Sequence, residues 1–169
     1  IKDLDGVSEV HPVVFAEITV PWEPDFSDMW MKEFYEKWLT VPYSQEKEEY
    51  QNHPENFGYS LIGIDEQEFD FLNKNLEQPI NKEEFLSGKT CIIYRTGLDL
   101  SNSDLIGSKV TCALHSDKQV TQTFTIGGVT DESYYTAILG YPPTIITSDQ
   151  VVKNFANESI TLKIGVKYT

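Results

Sequence analysis

The chain has 169 residues, 40% of them apolar and 12% aromatic, enough to fill a buried interior, which excludes a disordered tract. Its 13 Lys and Arg stand against 27 Asp and Glu, a formal net charge of −14 that repels phosphate backbones and anionic lipid head groups and so excludes nucleic acid as a partner. That balance suits a soluble module outside the cytoplasm or one that meets cationic ligands, although solubility by itself would also account for it.

The first predicted element is a strand over 5–20, DGVSEVHPVVFAEITV, entered through a turn-forming Asp-Gly and ended by PWEPDF. Asp25 or Ser27 is placed to cap a helix through SDMWMKEFYEKWL, where Met29, Trp30, Phe34, Trp38 and Leu39 recur at helical spacing. The next stretch, TVPYSQEKEEYQNHPENFG, is polar and bracketed by prolines, and it reads as a mobile surface excursion. YSLIGID (59–65) is a buried strand, EQEFDFLNKNL a short helix with Phe69, Leu72 and Leu76 on one side, and NKEEFLSGK a helical turn stopped at Gly88. TCIIYR follows as a strand and TGLDLSNSDLIG as a loop.

Two alternating strands come next, SKVTCALH and QVTQTFTIGGV, joined by SDK. Val110, Cys112 and Leu114 share a face in the first, Val120, Gln122, Phe124 and Ile126 in the second, with threonines opposite, which is a hairpin with one wet face. TIITS adds a strand, Ser148 or Asp149 caps DQVVKNFA, and SITLKIGVKY closes the chain with Ile160, Leu162, Ile164 and Val166 in alternation. The class is α+β with a mixed, mainly antiparallel sheet and short helices.

Chemistry-bearing patterns are scarce. Gly127-Gly128 lacks the Lys of a phosphate loop and is followed by Val129, Thr130 and Asp131, so the pair is expected to permit a bulge or a sharp strand exit. His11, His53 and His115 form no metal-binding spacing, and the acids at 46–49 and 65–70 do not match a calcium loop. Ser60, Ser133 and Ser148 lack the context of a hydrolase nucleophile. Asn157-Glu158-Ser159 fits a glycosylation sequon, a triplet common by chance. Cys91 and Cys112 lie in strand-like runs without a CxxC partner, and read either as two buried thiols or as one disulfide between neighbouring strands. No catalytic, cofactor-binding or metal-ligating residue is assigned.

Aromatic residues are the remaining signal. Trp22, Trp30, Tyr35, Trp38 and Tyr43 crowd one stretch, and Tyr134, Tyr135 and Tyr141 lie beside Asp131 and Glu132. Each group reads either as ordinary core packing or as a partner surface, since Trp and Tyr are favoured at binding hot spots. A cationic peptide, if one is bound, would meet the acids near 46–55 or the 131–141 loop.

No segment approaches the ~20 apolar residues of a membrane helix, and no Lys-led apolar start resembles a signal peptide. The opening at Ile1 and the close on KIGVKYT read as an excised piece of a longer protein.

The order of several phrases resembles the extracytoplasmic core domain of FtsX-like ABC-transporter permeases, the MacB-type periplasmic core. DGVSEVHPVV stands where that family has its opening phrase, followed by GIDEQEFDFL, GKTCIIY, an LIGxxV phrase, FTIGGV and IITSDQVVKNF. The resemblance spans nearly the whole chain; each phrase is weak alone, and their order gives the specificity. It implies a bacterial permease domain rather than an enzyme, held between two membrane helices on the extracytoplasmic side. ATP hydrolysis would belong to a separate subunit, in a transporter that is dimeric in life. The implied tasks are export, peptide sensing or regulation, with a peptide, a lipoprotein or a cell-wall hydrolase as partner. It further implies a membrane-proximal lobe of 1–20 with 143–169 and an inserted distal lobe of 21–142, joined through Pro142-Pro143. The alternative is a free secreted or lipid-anchored binding protein; an acidic hydrolase would need carboxylates converging in a pocket.

Overall fold

Strand β1 (Val7–Thr19) organises the molecule, because its thirteen residues are long enough to pair with three other strands. The computed structural model describes residues 5–95, 97–131, 144–157 and 161–168. Its strands are β1, β2 (Tyr59–Ile64), β3 (Thr90–Tyr94), β4 (Lys109–Leu114), β5 (Thr121–Thr130), β6 (Thr144–Ser148) and β7 (Thr161–Tyr168). They lie in the order β2-β6-β3-β5-β4-β1-β7, and β1 also pairs with β2. The ladder through β1, β2, β6, β3, β5 and β4 therefore closes on itself, with β7 carried along Val7–Phe15 of β1. Closure removes most of the exposed strand edge. Pairs β2–β6 and β3–β5 are parallel and the others antiparallel, which is the mixed, mainly antiparallel α+β class.

Strand alternation sorts the apolar residues into two clusters. Val14, Ala16, Ile18, Leu61, Cys91, Ile93, Val110, Cys112, Phe124, Ile126 and Ile145 face the larger one. Helix α1 (Pro24–Phe34) covers it with Phe26, Trp30, Met31 and Phe34, and helix α6 (Asp149–Ala156) adds Val152 and Phe155. The opposite residues, Val13, Ile62, Ile64, Ile92 and Ile146, pack under helices α3 (Glu66–Lys74) and α4 (Lys82–Leu86). There Phe69 and Phe85 stack at 4.3 Å between ring centres. Each fully buried large side chain in these clusters contributes roughly 1.5–3 kcal/mol of hydrophobic stabilisation.

Local signals set the helix ends. The Asp65 carboxylate accepts from the Glu68 N–H at the start of α3, and Asn81 does the same for Glu84 at α4. Gly88 follows α4 at φ +81°, the left-handed stop that glycine adopts without strain. Ser148 occupies the N-cap position of α6, although its hydroxyl makes no cap bond. The hairpin has the expected faces: Val110 lies opposite Phe124 and both are buried, while Thr111 and Thr123 meet at 2.8 Å on the wet side.

Gly127 forms the expected bulge. Cys91 pairs with Ile126 and Ile92 with Gly128, so Gly127 is skipped in the β3–β5 ladder. A Cβ on Gly128 would stand 2.7 Å from Leu76 Cδ1, so that glycine lets the segment after α3 settle on the sheet.

Three expectations are corrected. Helix α1 begins at Pro24, a residue suited to the first turn, and the Ser27 hydroxyl accepts from the Glu23 N–H instead of opening the helix. The polar stretch after it is not an excursion: helix α2 (Tyr43–Asn52) runs through it and is held by buried Tyr43 and Tyr50, the latter donating to the Val20 carbonyl. The stretch read as a loop, TGLDLSNSDLIG (96–107), contains a short helix, α5 (Asn102–Leu105), opened by a reciprocal Ser101–Asp104 capping box.

Candidate functional site

The aromatic stretch 22–43 divides between core and surface. Trp30 is fully buried and stacks on Phe26 at 5.9 Å, so it serves packing. Tyr43 is buried as well, and its hydroxyl accepts from Trp22 Nε1 at 3.2 Å. Half-buried Trp22 carries Lys47 Nζ 5.2 Å from its ring centre, and the same ammonium reaches Asp28 at 3.1 Å. Trp38 and Leu39 behave differently: they are 55% and 41% exposed.

Their exposure has a backbone cause. Beyond Phe34 the helix widens into a π-helical turn, Tyr35–Leu39, in which the Thr40 N–H reaches back to the Tyr35 carbonyl. The wider turn shifts the phase of the apolar stripe, so residues expected on the core-facing side emerge at its margin. Thr40 then takes φ 52° and ends the turn. Trp38 still stacks on Phe34, with ring centres 6.4 Å apart.

Between this turn and the entry to β2 lies a groove of about 250 Å³, lined by Phe34, Tyr35, Leu39, Phe57 and Tyr59 with Asn56 and Gly58. Tyr35 stacks on Tyr43 at 5.9 Å and meets Phe57 edge-on at 6.3 Å, which fixes the floor. Tyr59 is anchored by its hydroxyl on Met31 Sδ at 3.6 Å. Burial, and after it the negative charge of Glu46, pushes the Tyr35 hydroxyl up to about 12, so it is a neutral wall at physiological pH.

The surroundings are acidic. Glu49 Oε1 accepts from Asn56 Nδ2 at 3.1 Å, and Glu17 Oε1 lies 2.9 Å from where a Cβ on Gly58 would sit. Among the described residues no ion pair neutralises Glu17, Glu46 or Glu49. The nearby lysines are engaged elsewhere: Lys37 on Asp99 at 2.9 Å, Lys118 on Glu55 at 3.2 Å.

The second aromatic group falls elsewhere. Ser133, Tyr134, Tyr135, Tyr141 and Pro142-Pro143 lie outside the described residues. Asp131, just before them, accepts from Arg95 Nε and Nη2 at 2.9 and 2.8 Å, and the guanidinium holds its carboxyl below the usual range.

Cys91 and Cys112 are both free and buried. Burial, with the neighbouring Cys112 a lesser cause, lifts the Cys91 thiol well above its usual range, and burial pushes Cys112 up to about 12. Neither is a thiolate at neutral pH, so neither is an activated nucleophile. His53 contacts Glu55 at 3.4 Å. Among the described residues no three His, Cys, Asp or Glu side chains gather as metal ligands, and no helix is long and apolar enough to cross a membrane.

Phe57, Tyr59 and Asn56 were not singled out from sequence as site residues. The available signal was Phe57-Gly58-Tyr59, an aromatic pair flanking a glycine at a strand entry.

No protein-family model and no curated protein matches the chain. Among solved structures, the extracellular domain of the noncanonic ABC-type transporter YknZ from Gram-positive bacteria is similar over 99% of this chain and 68% of that one. The identity is 15% and the TM-score 0.46, and no residue role passes across a likeness of that degree.

Proposed function

We propose that the chain is the extracytoplasmic domain of an FtsX- or MacB-like ABC-transporter permease. In this reading it couples ATP hydrolysis in a separate cytoplasmic subunit to export, peptide sensing or regulation outside the cell membrane. The supporting sequence feature is the ordered set of phrases from DGVSEVHPVV to IITSDQVVKNF. One structural observation carries most weight: β1 and β7 pair antiparallel with Val7 opposite Tyr168, so the first strand starts where the last one ends. A domain inserted between two membrane helices needs its entry and exit side by side, and this ladder provides that.

The β1–β7 ribbon would be the membrane-proximal part. The stretch 143–157 would belong to that part too, which runs over 1–20 and 143–169, and 21–142 would form the distal part. Power would come from the partner subunit, so the domain's own task is mechanical and recognitional and requires no active site, cofactor or metal. The whole transporter would be a dimer.

The coding sequence on either side tests this reading. Apolar runs of ~20 residues before residue 1 and after residue 169 are expected. A cleavable leader upstream with no apolar run downstream would instead make the chain a free or lipid-anchored binding protein.

A further inference from the structure

We propose that the groove beside Trp38 and Leu39 binds a short basic peptide segment, one that inserts a large apolar side chain between lysines or arginines. The groove goes beyond the permease reading, since it would serve a tethered or a free domain alike.

Three observations converge on it. The first is size: about 250 Å³ falls below the roughly 300–1,000 Å³ of sites that enclose whole small molecules, and suits one or two side chains. The second is exposure. Trp38 and Leu39 are the large apolar side chains most open to solvent among the described residues; Leu39 lines the groove itself, and Trp38 stacks on Phe34, which lines it. A folded chain otherwise buries such groups, and an aromatic left at a pocket edge is the composition of a binding hot spot.

The third is charge. Glu49 is fixed at the groove by its bond from Asn56, Glu17 stands against Gly58, and Glu46 acts on Tyr35, yet no lysine or arginine of the described chain pairs with any of them. Three unneutralised carboxylates around an apolar slot leave a potential that a cation would satisfy. An acidic or lipid-head-group partner would be repelled, and the net charge of −14 extends that repulsion over the surface. Complementarity therefore selects a positively charged occupant with an apolar anchor. The groove walls are the rigid part: Phe34 and Tyr35 are buried and meet edge-on, Tyr35 stacks on Tyr43, and buried Tyr59 is held on Met31, so the site is formed before the ligand arrives.

The test titrates the domain by calorimetry with an amidated synthetic hexapeptide carrying Leu-Phe at its centre and two lysines on each side. Two further peptides replace Leu-Phe by Ser-Ser, or the lysines by glutamates. Binding of the first that weakens with added salt is expected, with both controls weaker by about tenfold or more. Leu39→Asp should reduce affinity at least about tenfold, and the Glu17→Gln, Glu49→Gln pair about three- to tenfold with a shallower salt dependence. Both changes are at positions not packed in the core, and unchanged melting temperatures would show the fold intact. If Leu39→Asp unfolds the domain, the milder Leu39→Ser and the Glu pair decide the question. Absent binding, binding equal for all three peptides, or binding indifferent to Leu39 and the glutamates would each overturn the proposal and leave the permease reading standing. Self-association that Leu39→Asp abolishes would overturn it too, by making a second copy the occupant.

Discussion

Val10 lies opposite Val166 in the antiparallel β1–β7 ladder, although 156 positions separate them in the chain. Paired strands hold such residues with Cα atoms about 4.5–5.5 Å apart, inside the range a disulfide spans. The Val10→Cys, Val166→Cys double variant should therefore oxidise to an intramolecular disulfide, visible by mass spectrometry of the non-reduced digest. Cys91 and Cys112 should stay unmodified, because both are buried.

Gly128 leaves little room for a side chain. With Leu76 Cδ1 only 2.7 Å from where its Cβ would be, Gly128→Ala must turn the Leu76 side chain aside and should cost about 1 kcal/mol in urea unfolding. Combining it with Leu76→Ala should cost less than the sum of the two single changes, since the shorter side chain opens the space.

The tryptophans should separate sharply. Trp30→Ala removes a fully buried ring and should destabilise by about 3–5 kcal/mol. Trp38→Ser, at a side chain 55% exposed, should change stability by no more than about 0.5 kcal/mol. Denaturant midpoints of the two variants check this directly.

Alkali should unfold the domain early. Tyr35 and Tyr43 have hydroxyls pushed up to about 12, chiefly by burial, against a usual value near 10. The folded state thus keeps protons that the unfolded chain releases. Their contribution is fully present below pH 10 and drains away as pH climbs from 10 towards 12. The Cys112 thiol, raised to about 12 by burial, extends the loss down to about pH 9. Melting temperature should hold steady to about pH 9 and then fall, and Tyr43→Phe should flatten that fall.

The parts of the fold legible in the sequence were those with a local cause. The Val110–Phe124 hairpin announces itself by alternation, α3 by the Phe69, Leu72 and Leu76 stripe, and Gly88 by its place after a helical turn. Helix α2 escaped because its apolar anchors are only Tyr43 and Tyr50, two turns apart in a polar sequence, and they bury against a core contributed by α1 and β1. The exposure of Trp38 was one of two readings left open, because a π-helical turn leaves no periodic trace in five residues to decide between them. Ring closure through β1, β2 and β4 is a long-range pairing that no local pattern encodes. The groove lies between the π-helical turn and the entry to β2, so the acids Glu46 and Glu49 on its rim were readable in the 46–55 stretch while its apolar walls were not.

The central claim is that the domain hangs from the membrane by both ends, brought together by β1 and β7. Its most direct measurement is release by proteolysis. A specific protease site is placed before residue 5, after residue 168, or at both positions in the full-length protein, and intact spheroplasts are treated from outside. Cleavage at either site alone should leave the domain in the membrane fraction, and cleavage at both should free it into the medium. Release after a single cut, or recovery in the medium with no cut at all, would contradict the account.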